Sequence, residues 1–276
     1  MRSILTIAGS DSCGGAGLQA DLKVFAAYGL HGACAVTCIT SQNTRGVRDV
    51  FPVPSAVIGT QLAAVFEDLD VAAVKSGVLG SVAAVEAVSE KLQHHALPYV
   101  LDPVTLASTG ATLGDVGTLD ECVSRLFPLA TVVTPNALEA AALTGATLRD
   151  REDAAKAGRA LLGTGANAVL VKGGHLADDP GTDVLVTADA VTVYPGELIV
   201  ALHTHGTGCT LASAIAAGLA LGWPLPRAIA HARDFTRGAI RGGYSIGSGA
   251  GPVDPFFLFR RGDEEPWPAT AVGQSA

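Results

Sequence analysis

The chain has 276 residues, 49% hydrophobic and 16% charged, with 33 glycines, a balance that supports a large buried core and excludes a disordered protein. Its formal net charge is −8 and its arginines and lysines are scattered, so no basic stripe is present to neutralise a nucleic-acid backbone. No apolar run reaches the ~20 residues that cross a bilayer, and the cysteines (Cys13, Cys34, Cys38, Cys122, Cys209) include no CxxC pair, so a reduced cytoplasmic protein without membrane or nucleic-acid partners is expected.

From the N-terminus, the apolar run Ser3 to Ala8 is too short for a secretion signal and reads as a first strand. A helix follows over Ala16 to Tyr28, a strand over Ala33 to Thr40 and a helix over Pro54 to Leu69. The order repeats with a strand at Ala72 to Lys75 and a helix from Ser81 that sets Val82, Val85, Val88 and Leu92 on one face. Strands at Tyr99 to Leu101 and Thr131 to Thr134 come next, then helices near Asn136 to Leu143 and Glu152 to Leu162. A strand at Ala168 to Val171, a hairpin over Asp183 to Tyr194 and an apolar helix from Thr207 to Leu221 complete the series. Cys34 and Cys38 share one side of their strand and are expected in the core.

Strands joined by helical crossovers require a mainly parallel central sheet with helices on both faces. A doubly wound α/β fold is therefore expected, with ligands outside the carboxyl ends of its strands. No repeat or linker divides the interior, so residues 1–260 are expected to form one domain, followed by a flexible polar tail at 261–276.

Three sets of strand-end loops carry chemistry. Gly9-Ser10-Asp11-Ser12-Cys13-Gly14-Gly15-Ala16-Gly17 leaves the first strand and enters a helix; it suits either close approach of backbone to a ligand or merely a tight turn, and it lacks dinucleotide-fingerprint spacing. Thr204-His205-Gly206-Thr207-Gly208-Cys209-Thr210 opens the long apolar helix. Its free N–H groups would hold a phosphate and favour a Cys209 thiolate, or the segment is a capped buried helix with an inert cysteine. No Gly-Lys pair and hence no Walker A loop occurs. The third set, Asp102-Pro103, Thr134-Pro135-Asn136 with Glu139, and Lys172-Gly173-Gly174, has the acids, amide and cation of a metal–nucleotide site, although each alone also serves as a turn or cap. His203-x-His205 lacks a third ligand with zinc-like spacing.

Ala8-Gly9-Ser10-Asp11, Gly14 to Lys23, Gln42-Asn43-Thr44, Leu101-Asp102-Pro103-Val104, Thr134-Pro135-Asn136, Val171 to His175 and Thr204 to Thr210 together closely resemble the bacterial hydroxymethylpyrimidine/phosphomethylpyrimidine kinases of the ribokinase-like superfamily, over roughly residues 3–255. The resemblance implies a homodimer that uses MgATP to phosphorylate a hydroxymethylpyrimidine and then adds a second phosphate, a pair of steps in thiamin biosynthesis. By the same resemblance Gly9, Asp21 and Gln42 would hold the aminopyrimidine, with Val78 and Val104 packed on its ring. Gly206, Thr207 and Gly208 would form the anion hole, and Cys209 stands where related sugar kinases keep an aspartate base. Asp102 and Glu139, with Asn136, would organise Mg²⁺; Lys172, with Asn136 and Thr204, would face the nucleotide. The chain departs from the family pattern at Val78 (often methionine), Ser108 (usually lysine) and His203 (an asparagine). A pyridoxine or pyridoxal kinase is the nearest rival reading, and a non-catalytic pyrimidine sensor is the rival from another class.

Overall fold

A computed structural model describes residues 1–104 and 113–259 of the chain. The Ser108 departure and the tail at 261–276 therefore lie outside the described residues. The chain enters on β1 (Ser3–Asp11), passes through α1 (Gly17–Ala27) to β2 (His31–Asn43), and turns back along β3 (Gly46–Pro52). Then come α2 (Ser55–Asp68), β4 (Val71–Ser76), α3 (Val82–Leu92), β5 (Tyr99–Leu101), α4 (Thr118–Arg125) and β6 (Val132–Val133). The remainder comprises α5 (Ala137–Thr144), α6 (Arg151–Leu162), β7 (Ala168–Val171), the hairpin β8 (Asp183–Thr187) and β9 (Val191–Tyr194), α7 (Thr207–Ala220) and α8 (Leu225–Arg241).

The nine strands of the described residues join one sheet in the order β3-β2-β1-β4-β5-β6-β7-β8-β9. Strands β2, β1, β4, β5, β6 and β7 run parallel, while β3 and the β8–β9 hairpin add antiparallel edges. Alternate residues feed two cores, as the pleat demands. Leu5, Ile7, Val74, Leu101, Val133 and Val169 pack toward Ile58 and Leu62 of α2, Val85 and Val88 of α3, and Leu161 of α6. Ile4, Ala73, Val100, Val132 and Leu170 face Val24 and Phe25 of α1, Ile215 of α7, and Ile229 and Phe235 of α8. The doubly wound architecture is thus as expected. Its winding reverses between β1 and β4, and the ligand crevice of such a sheet opens at that switch point.

One expectation about β2 is corrected. Register along β1 goes from Ala8↔Val36 to Ser10↔Ile39, so β2 carries one extra residue there. Thr37 and Cys38 are both buried, and the alternation changes phase across them. Cys38 remains in the core, its sulfur against Gly9, where an added Cβ would meet it at 2.6 Å, while Cys34 lies on the exposed side. Among the described residues no helix is long and apolar enough to cross a membrane.

Candidate active site

The parallel strands all deliver their carboxyl ends to the same edge, and the loops there assemble around the N-terminus of α7. The first loop is organised by Asp11. Its Oδ1 accepts the Cys13 N–H at 2.8 Å, and Oδ2 accepts the N–H groups of Gly15 (3.0 Å) and Ala16 (2.9 Å). His205 Nε2 lies 2.9 Å from the same Oδ2. Burial opposes the charge on Asp11, but His205 and these N–H groups outweigh it and hold the carboxyl below the usual aspartate range. Ser12 clips the end of β2 in place: its hydroxyl donates to the Gln42 carbonyl at 2.7 Å and accepts the Gln42 N–H at 2.8 Å. The Gln42 amide then lies 3.2 Å from His205 Nε2.

Gly206 starts α7 in the left-handed region (φ 84°), and a Cβ there would fall 1.9 Å from the Gly15 carbonyl oxygen. Only glycine permits this contact, which stacks the phosphate-type helix terminus directly on the first loop. Thr207 donates its hydroxyl to the Thr204 carbonyl at 2.7 Å. Its own N–H donates to the same carbonyl at 3.2 Å, so Thr207 fastens the turn and the N–H groups of Gly208 and Cys209 are left for a ligand.

Across from this terminus stands a row of charges. Lys172, at the end of β7, donates to Asp102 Oδ1 at 2.7 Å and lies 3.9 Å from Glu139 Oε2; Thr134 donates to the same Asp102 oxygen at 3.0 Å. Burial disfavours the Lys172 ammonium, yet Asp102 and Glu139 hold its pKa above the ordinary lysine value. Burial pushes Glu139 up to about 7, Asp102 adds to the rise, and Lys172 and the Asn136 N–H oppose it. A Cβ built on Gly208 would sit 3.5 Å from Lys172 Nζ and 3.6 Å from Asp102 Oδ2, so the glycine keeps a gap open between helix terminus and ion pair. Asp102 Oδ2 is buried and has no hydrogen-bond partner among the described residues. An orphaned carboxylate oxygen facing a space beside a cation is suited to a hydrated divalent ion.

The structure gathers Gly9, Gln42, Val78, Asp102, Val104, Glu139, Lys172 and Gly206 to Cys209 at these strand and helix ends. Asp21 is different. It is fully buried, and its carboxylate takes Thr6 Oγ1 at 2.6 Å, Lys75 Nζ at 2.8 and 3.0 Å, and Ser213 Oγ at 2.7 Å. No acceptor capacity faces the cleft, so the pyrimidine contact implied for it is not where the side chain lies. Asn136 Oδ1 is likewise engaged, accepting the Leu138 and Glu139 N–H groups as the cap of α5. Thr204 offers an exposed side chain ahead of the helix.

Cys209 also departs from the thiolate expectation. Burial pushes its thiol up to about 11; Lys75 pulls it down, while Asp21 and Asp102 raise it. Desolvation wins over the positive field at the start of α7, so the thiol is neutral at pH 7 in this state. The sequence reading singled out neither Asp11 nor His205 as a working residue, although both sit inside the quoted motifs; a buried acid–imidazole contact between positions 194 apart leaves no local spacing to detect. Among the described residues no group of three metal-ligating side chains occurs. His203 is occupied too, its Nδ1 accepting the Gly251 N–H at 3.0 Å.

A parallel α/β sheet whose strand ends put an anion-binding helix terminus over a lysine and two carboxylates describes a small-molecule kinase of ribokinase-like architecture. The family model for phosphomethylpyrimidine kinase matches residues 11–254. The hydroxymethylpyrimidine/phosphomethylpyrimidine kinase of Rhizobium meliloti is 45% identical over 91% of this chain and 96% of its own length. The thiamine biosynthesis bifunctional protein ThiED of Geobacter sulfurreducens is 47% identical over 91% of this chain, which spans about half (52%) of that longer protein. Among solved structures, an ADP complex of Bacillus subtilis pyridoxal kinase superposes with a TM-score of 0.85 at 35% identity, covering 94% of this chain and 98% of the other. The chain belongs to the phosphomethylpyrimidine kinase family.

Proposed function

We propose that the protein phosphorylates 4-amino-5-hydroxymethyl-2-methylpyrimidine with ATP, and then phosphorylates the monophosphate to the diphosphate, as a step in thiamin biosynthesis. The observation that carries this reading is the gap at Gly208, bounded by the α7 N–H groups, Lys172 and the unpartnered Asp102 oxygen, with Cys209 next along the helix. The names of the relatives supply the substrate class, and the ADP complex of the pyridoxal kinase supports a nucleotide as donor.

In this mechanism the backbone of Gly206, Thr207, Gly208 and Cys209 holds the transferring phosphoryl group, and Lys172 neutralises its charge. Gly9 and Gln42 orient the aminopyrimidine between Val78 and Val104, with Gln42 offering both a donor and an acceptor to an amino-pyrimidine edge. Asp102 and Glu139 would hold Mg²⁺, largely through water, which when bound neutralises the nucleotide phosphates. Cys209 gives up its own proton to solvent as substrate and nucleotide bind, then as the thiolate accepts the hydroxyl proton of the first transfer, and it has less to do in the second, because the acceptor is then already an ionised phosphate. The same reading includes a single catalytic domain over 1–260 and a homodimer built on the exposed face of β2–β3, where Ile39 and Phe51 are cross-strand neighbours.

The test is incubation with MgATP and either the hydroxymethylpyrimidine or pyridoxine, with products read by mass spectrometry. A pyrimidine monophosphate followed by the diphosphate is expected. Cys209→Ala should lower the first transfer by about 10²–10⁴-fold and the second far less. Pyridoxine phosphate as the sole product would assign the protein to the pyridoxine/pyridoxal branch, and no product from either substrate would leave a pyrimidine-binding sensor.

A further inference from the structure

The fully buried ion pair Asp21–Lys75 takes no part in the chemistry described above, and burying two charges is costly unless the surroundings complete them. Here they are completed. Asp21 belongs to the second turn of α1, Lys75 to the end of β4, Thr6 to β1 and Ser213 to α7, one turn beyond Cys209. The carboxylate accepts from all three partners, at 2.6 to 3.0 Å. The chain just past the end of β4 passes close over the ammonium: a Cβ on Gly77 would lie 2.9 Å from Nζ. Helices α1 and α7 pack against each other, and their N-termini meet at the Gly15–Gly206 contact. One carboxylate therefore ties together both helices and both strands that flank the switch point.

We propose that Asp21 is a positioning residue: with Lys75 as counter-ion and Thr6 and Ser213 as hydroxyl partners, it clamps α1 to α7 so that the 206–209 N–H groups are held at a fixed height over Lys172 and Asp102. Burial disfavours the Lys75 ammonium, but Asp21 first, and Asp102 with it, keep it charged, so its cation also lies beneath the same terminus. The inference rests on the kinase reading for its rate measurements only.

The test compares Thr6→Val, Thr6→Ser, Ser213→Ala, Lys75→Met and Asp21→Asn by kcat, KM and Tm. Thr6→Val and Ser213→Ala each remove a neutral partner and keep the ion pair, so they remain informative even where the charge variants do not fold. Both should lower kcat by on the order of 10- to 100-fold, through misplaced donors, and shift KM for the alcohol by less than about twofold. Thr6→Ser should restore the wild-type kcat. A raised KM confined to Asp21→Asn would instead make Asp21 a substrate ligand, and a lowered Tm with unchanged kcat would reduce the network to a structural one; either overturns the proposal. Should the wild type phosphorylate neither alcohol, that result refutes the proposed function, and the clamp is then read from iodoacetamide alkylation of Cys209 in the nucleotide-free protein. A several-fold change in Thr6→Val and Ser213→Ala supports it, and an unchanged rate overturns it.

Discussion

At Cys209 the same burial that shapes the pocket sets how the thiol can act. With its pKa pushed up to about 11, the nucleotide-free protein should react slowly with iodoacetamide at this cysteine at pH 7 and faster as pH rises toward 11, followed on the Cys209 peptide by mass spectrometry. No thiolate is stored in the nucleotide-free protein, so the base role proposed for Cys209 requires its proton to leave for solvent when substrate and nucleotide bind. Glu139 gives a second pH signature. A carboxyl whose pKa rises from 4.5 to about 7 on folding binds its proton more tightly in the native state. Its contribution is complete below about 4.5 and is lost as pH rises through about 7. Urea unfolding should therefore show wild type losing stability relative to Glu139→Gln between pH 5 and 8. Much of this chemistry was legible in the sequence, because Asp102, Glu139, Lys172 and Cys209 lie in short strings after apolar runs. Asp21 lies in an equally suggestive string, and only packing reveals that its partners are Thr6, Lys75 and Ser213.

At the level of elements, the α7 start depends on one backbone conformation. Gly206→Ala would have to adopt φ 84° and displace the Gly15 carbonyl. It should cost about 1–3 kcal/mol of stability and lower kcat/KM by about 100-fold or more, measured by denaturation and steady-state kinetics. Helix and strand boundaries follow the apolar periodicity wherever the contrast is strong, as at α3 with Val85, Val88 and Leu92. Three elements are not announced in that way. Strand β3 is an edge strand with largely exposed residues, so no alternation marks it. Helix α4 buries only Cys122. Helix α8 has helical spacing at 228, 229, 232, 235, 236 and 239, but alanines carry half of it, and they give little apolar contrast. The extra residue in β2 is likewise silent in the sequence, because neither Thr37 nor Cys38 is a turn-forming residue.

Across the whole molecule, alternation of strands and helices specifies the class of fold but not which strands are neighbours; the switch between β1 and β4 exists only once the sheet is assembled. The outer face of β2–β3 leaves Ile39 52% and Phe51 55% exposed side by side, with Val57 of α2 also uncovered. Apolar side chains grouped on one side of a sheet edge are expected to meet their symmetry mates. Sedimentation should give a dimer for the wild type and a monomer for Phe51→Glu; a monomeric wild type would remove the dimer from the proposed function.

The pairing of the first loop with α7 has a further consequence, for the order of events during synthesis. Asp11 meets His205 across 194 positions and Asp21 meets Ser213 across 192. A ribosome adding about 5–20 residues per second therefore leaves these two carboxylates waiting on the order of 10–40 s for their partners. Through that interval the central strand β1 is already made, yet the helix that completes its loop does not exist. A chain that has reached residue 204 contains all nine strands of the described sheet and none of the phosphate-binding terminus, so catalytic competence arrives late and all at once.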